Sequence, residues 1–139
     1  MRYLFAFILL IHGLIHLMGF VKAFKLGEVS QLSGHFSKPA GLMWLVAALL
    51  FIAAVAAFLL KNDGWWMPAA AAVVLSQILI FTQWNDAKFG TIANIIALLV
   101  LIPAFGQWRF NSMIQQELAV FMPRTVEPAP VLTREMAAS

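Results

Sequence analysis

The chain contains no cysteine among its 139 residues. Disulfides, thiolate nucleophiles and cysteine-ligated iron–sulfur clusters are therefore excluded. Charge is also scarce. Asp, Glu, Lys and Arg together make up 11% of the chain, where a soluble domain carries about a quarter. The net charge of +3 comes from scattered residues, and no basic cluster offers a nucleic acid a footprint. The same balance suits contact with anionic lipid headgroups. No glycine-rich phosphate loop is present, and the single intramembrane-depth serine, Ser76 in "VLSQI", is not in a nucleophile elbow. No acidic residue falls deep in an apolar run, which leaves proton or ion pumping without its usual carboxylates.

What is there is apolar. Hydrophobic residues make up 63% of the chain, with a mean hydropathy of +0.88. Four runs reach the roughly 20 residues that a helix needs to cross hydrocarbon. They cover residues 3–24, 40–60, 65–84 and 89–108. The first has a basic residue before it, like a secretory signal. It runs on through "FVKAF" without a small-residue cleavage site, so it reads as a retained span. These runs predict an all-α fold: an integral membrane four-helix bundle.

The ends of the runs carry their own signals. Ser37 suits the N-cap of the second helix, with Pro39 early in its first turn. Asp63 and Asp86 suit the N-caps of the third and fourth. Trp65, Trp66, Trp84 and Trp108 fall at span ends, as in an aromatic belt. Pro103 should bend the fourth helix. The links "KNDG" and "NDAK" are short and make neighbours antiparallel. Residues 25–39 form a longer loop, long enough to cap one end of the bundle. Residues 111–122, with Phe110, Ile114, Leu118 and Phe121 on one face, read as a short interfacial helix. The Pro-rich residues 123–139 read as a disordered tail.

Four crossings put both termini on one side. That side holds Arg2, Lys61, Arg109, Arg124 and Arg134, against Lys22, Lys25, Lys38 and Lys88 opposite. The small excess favours cytoplasmic termini.

The polar residues are informative by depth. His12 lies near the middle of the first helix, and His16 lies roughly 12 Å from its far end at 1.5 Å per residue. Ser76 and Gln77 lie about as deep on the third helix, and Asn94 somewhat shallower on the fourth. These five are the candidate ligand-binding residues of a pocket between helices one, three and four. His35, Gln83, Asp86, Lys88 and Thr91 form its rim. His12 and His16, four apart, share a helix face. In hydrocarbon each buried polar group needs a partner or a water. The same residues can simply tie the helices together. Metal binding is the weaker reading, because H-x-x-x-H supplies only two ligands where zinc takes three or four. Haem would need a second axial ligand from outside the spans, since no other span has a histidine. A His16–Ser76 dyad would lack a group to orient the ring.

The stretches "HGLIHLMGFVKAF", "SKPAGLMWL" and "WNDAKFGTIANII" resemble a group of small, uncharacterised bacterial four-helix integral membrane proteins. The likeness covers residues 1–110, and some relatives place this segment ahead of a soluble domain. It implies a multi-pass protein of the bacterial inner membrane and assigns no role to any residue. A looser resemblance is to the DoxX-like four-helix proteins, some of them linked to quinone or thiol redox systems. Without cysteine the thiol branch does not transfer. The quinone branch would use His16 and Gln77 as hydrogen-bond partners to ring oxygens. The expectation is a non-enzymatic membrane module: an accessory subunit of a membrane-protein complex or homo-oligomer, or a binder of a small hydrophobic ligand. The alternatives are a quinone- or haem-linked redox protein and a small oligomeric transporter.

Overall fold

A computed structural model describes residues 1–125, with side chains through Met122. Of the tail expected over residues 123–139, the first three belong to the last helix and the rest lie outside the described residues. Five helices occur among the described residues: α1 Arg2–Ala23, α2 Lys38–Leu59, α3 Trp66–Thr82, α4 Trp84–Ala87 and α5 Gly90–Thr125, with no strand. The architecture is an all-α helical bundle. α1, α2 and α5 are each long and apolar enough to cross a membrane. α3 is equally apolar but has 17 residues, about 26 Å at 1.5 Å per residue.

The chain divides into two compact units, Met1–Gly106 and Gln107–Ser139. In the second unit the chain is helical to Thr125, with Phe110, Ile114, Leu118 and Phe121 all exposed. The Ser112 hydroxyl bonds back to the Trp108 carbonyl at 2.9 Å. In the first unit the helix continues through Pro103.

The helix ends are set locally. Ser37 is the N-cap of α2, its hydroxyl accepting from the Ala40 amide at 3.3 Å, with Pro39 in the first turn. Two capping expectations are corrected. α3 starts after Trp65 with no side-chain cap, because Asn62 rather than Asp63 organises the turn by accepting from the Gly64 amide at 2.8 Å. Asp86 lies inside the short helix α4 and is drawn to a different partner, described below. α1 and α2 both close with paired bonds. Leu26 N–H reaches Val21 O and Lys25 N–H reaches Lys22 O; Asn62 N–H reaches Ala57 O and Lys61 N–H reaches Phe58 O. Lys25 and Lys61 hold the left-handed position, φ 54° and 57°, that glycine usually takes. Arg2 staples the start of α1 to the end of α2. Its guanidinium donates to Leu59 O at 2.5 Å and, at 2.9 Å, to Phe58 O, which also accepts from Lys61 N–H.

Packing within the first unit is inverted relative to a soluble bundle. Ala47, Ala48, Ala54, Ala69 and Ala72 are wholly enclosed, while Leu49, Ile78, Leu99 and Ile102 point outward. Small residues let helices approach closely where no hydrophobic force drives them together. α1 and α2 approach closely. A Cβ on Gly19 would enter the Trp44 ring, and one on Gly41 would meet the Ala23 side chain. Two apolar clusters result. One joins Ala6 and Leu9 to Phe51, Ala54, Ala69, Val73, Ala97 and Leu101. The other joins Ala23 to Trp44, Ala47 and Leu79, with Leu32 and Phe36 supplied by the loop between α1 and α2. A buried polar group of His12, His16, Ser76 and Asn94 accompanies them.

Candidate functional site

Asn94 is the hub of that polar group. It is 1% exposed. Its Nδ2 donates to Ser76 Oγ at 3.0 Å and to Gln77 Oε1 at 3.0 Å. Both amide hydrogens being used, its Oδ1 accepts from His12 Nε2–H at 3.0 Å. The same His12 nitrogen lies 3.2 Å from Ser76 Oγ. Gln77 passes the chain on, donating through Nε2 to Thr91 Oγ1 at 3.2 Å. Residues from α1, α3 and α5 are thus tied by direct bonds, and Thr91, expected at the rim, is a member of the network.

His16 is not in this network. Its Nδ1 lies 2.9 Å from the His12 carbonyl one turn earlier. A carbonyl only accepts, so Nδ1 carries the proton and donates. In the neutral ring Nε2 is then a bare lone pair. That Nε2 is buried and has no hydrogen-bond partner among the described residues. The ring packs between aromatic faces, 5.0 Å from Trp44 and 5.6 Å from Phe51, centroid to centroid, and 4.8 Å from His12. Gln77, expected beside His16 as a second partner to a quinone oxygen, spends its amide on Asn94 and Thr91.

His12 and His16 do share a cavity. It has a volume of about 370 Å³ and is mostly apolar, within the range of small-ligand sites. α1 contributes Ile15 and Met18 beside the histidines, α2 contributes Trp44, and α3 contributes Ile80. Gln31 and Leu32 of the first loop, Asp86 and Ala87 of α4, and Phe89, Gly90 and Ala93 complete it. Ser76, Gln77 and Asn94 do not line it. Ser76 and Asn94 hold the His12 ring from behind, and Gln77 holds Asn94.

The loop end of the cavity is latched. The Asp86 carboxylate accepts from the Ser33 hydroxyl at 2.8 and 2.9 Å, from the Ser33 amide at 2.6 Å and from the Gly34 amide at 3.2 Å. The Ser33 hydroxyl first, then the backbone amides, hold the Asp86 carboxyl below its ordinary value, with Lys22 adding to the effect. Of the remaining rim residues, Gln83 is half-buried and His35 and Lys88 are exposed. The Lys88 ammonium lies over the Phe89 ring at 5.6 Å. Among the described residues no three His, Asp or Glu side chains converge as a metal site would need.

The fold and the outward-facing apolar side chains define a helical membrane protein. Comparison of the chain with family models, with curated proteins and with solved structures gives no match.

Proposed function

We propose that the protein is a four-span module of a bacterial inner membrane, termini cytoplasmic, that binds a small hydrogen-bond-donating ligand beside His16. It performs no chemistry of its own and serves as a ligand-binding or accessory subunit. One observation carries this reading. A bare imidazole lone pair is buried, without a partner among the described residues, in a side chain that forms part of a cavity wall. Leaving such an acceptor unsatisfied costs about 1–3 kcal/mol, a cost that a ligand hydroxyl or N–H would remove. Met18, flexible and unbranched, gives the wall room to adjust. The non-enzymatic reading rests on His12, whose Nε2–H is given to Asn94 and so cannot activate the Ser76 hydroxyl. A reduced quinone carries the right donor and falls within the ligand class, so a redox role is the second reading.

The test is chemical analysis of the purified protein. An organic extract of wild type should contain a stoichiometric small molecule that is absent from a folded His16→Phe variant. A quinone in that extract selects the redox reading, and bulk phospholipid alone in both samples refutes the proposal.

A further inference from the structure

The cavity has two sides that differ in kind. On the loop side, Gln31 and Leu32 close it, and the Asp86 latch ties the next two residues down. On the outer side lies a groove of about 210 Å³ between α1 and α5, lined by Phe7, Ile8 and Ile11. The groove and the cavity share three wall residues, His12, Ile15 and Ala93. Phe7, Ile11 and Ile15 are 59%, 41% and 49% exposed, on a helix apolar enough to span the membrane. The groove therefore opens toward acyl chains and not toward water.

We propose that the ligand is a membrane-dissolved amphiphile with a hydroxyl or N–H head and a hydrocarbon tail, and that it reaches the cavity sideways between α1 and α5. This rests on the ligand-binding reading above. The head sits in the chamber and donates to His16 Nε2. The tail leaves past Ile15 and Ala93 and lies along Ile11, Ile8 and Phe7. The polar network explains why the passage keeps its shape. His12 stands at the junction of chamber and groove, and its ring is fixed from behind by Asn94 and Ser76. A head with a donor is selected because His16 offers only a lone pair. A tail is selected because the groove that shares walls with the chamber is apolar.

The probe is a 4-alkylphenol carrying a diazirine midway along its tail, with full-length protein in phosphatidylcholine nanodiscs and peptide mapping after illumination. Labels are expected on residues 7–15 of α1. Unlabelled 4-nonylphenol should compete about ten-fold better than nonylbenzene, which lacks the hydroxyl. Ten-fold corresponds to about 1.4 kcal/mol. His16→Phe should erase that preference. Ala93→Phe on α5 and Ile15→Trp at a lipid-facing position of α1 each plug the passage and should cut labelling by a similar factor. Two variants on different helices cover the case in which one fails to fold. Ser33→Ala, which removes the hydroxyl side of the latch and lines neither the cavity nor the groove, should leave labelling unchanged.

Two results would overturn the proposal, and they are distinguishable. Labelling that depends on His16, ignores both plugging variants and appears on residues 25–37 would leave a ligand site with access from the loop side. Equal competition by phenol and hydrocarbon, with no effect of His16→Phe, would remove the ligand site as well as the route.

Discussion

Replacing Asn94 by leucine should destabilise the bundle more than any other single polar deletion in it. The two side chains are similar in size, so the change removes polar contacts without opening a hole. Asn94 makes three bonds, to His12, Ser76 and Gln77. Interhelical hydrogen bonds in membranes average about 0.6 kcal/mol and reach about 1.7, which puts the loss between about 2 and 5 kcal/mol. The lower part of that range is expected, because His12 Nε2 can still reach Ser76 at 3.2 Å. Gln77 keeps Thr91 but loses the donor to its oxygen. Thr91→Val, which removes one bond, should cost about 0.6 kcal/mol on the same scale. The assay is reversible unfolding in mixed micelles of dodecylmaltoside and SDS, followed by circular dichroism. A double-mutant cycle with His12→Leu isolates the α1–α5 coupling. Asn94→Leu within about 0.5 kcal/mol of wild type, the usual range for changes that touch nothing special, would refute the argument. So would a cycle showing no coupling, since the two residues share a direct bond.

Gly19→Ala should cost about 1–3 kcal/mol by overpacking, because the added methyl enters the ring of Trp44, itself 3% exposed. Gly106→Ala meets nothing within 4 Å and should be neutral or stabilising by up to about 1 kcal/mol through helix propensity; micelle unfolding of both variants checks the contrast. The depressed Asp86 carboxyl contributes to loop docking above the ordinary aspartate value and loses that contribution as pH falls through its lowered one. The Ser33 and Gly34 amide resonances should therefore hold steady near neutrality and move only at acidities below the usual aspartate range. A transition centred near neutral pH would exclude Asp86 as the latch. His16→Phe should leave the melting temperature of ligand-free protein unchanged or raise it, since it removes an unsatisfied buried acceptor. A large fall would show that Nε2 already has a partner in the empty protein.

The helices and their polar depths are readable from composition and rise per residue alone. Counting along the runs places His12, Ser76, Gln77 and Asn94 at comparable levels, and the structure joins these four by direct bonds. Which histidine joins them is not readable in that way. Residues four apart share a face only loosely, since four steps of 100° leave them about 40° apart. That angle turns His12 toward α3 and α5 and leaves His16 against Trp44 of α2. The sequence also shows Asp86 as a good cap at the mouth of a helix. It cannot show that Ser33 and Gly34, more than fifty residues earlier, present three better donors. The contact is long-range, and the loop residues that make it carry no pattern of their own. The glycines are legible as close-approach points, but their partners are not. Trp44 reads as one more bulky residue until the backbone brings it across Gly19.

The alanine-lined interior makes tolerance to substitution one-directional. Where Ala47, Ala48, Ala54, Ala69 and Ala72 already fill the space between helices, truncation has almost nothing to remove, and a conventional alanine scan would pass over much of the interior in silence. The informative experiment adds mass instead. A scan with leucine or phenylalanine should trace the helix contacts as a line of failures, and the lipid-facing positions beside them should accept the same residues freely.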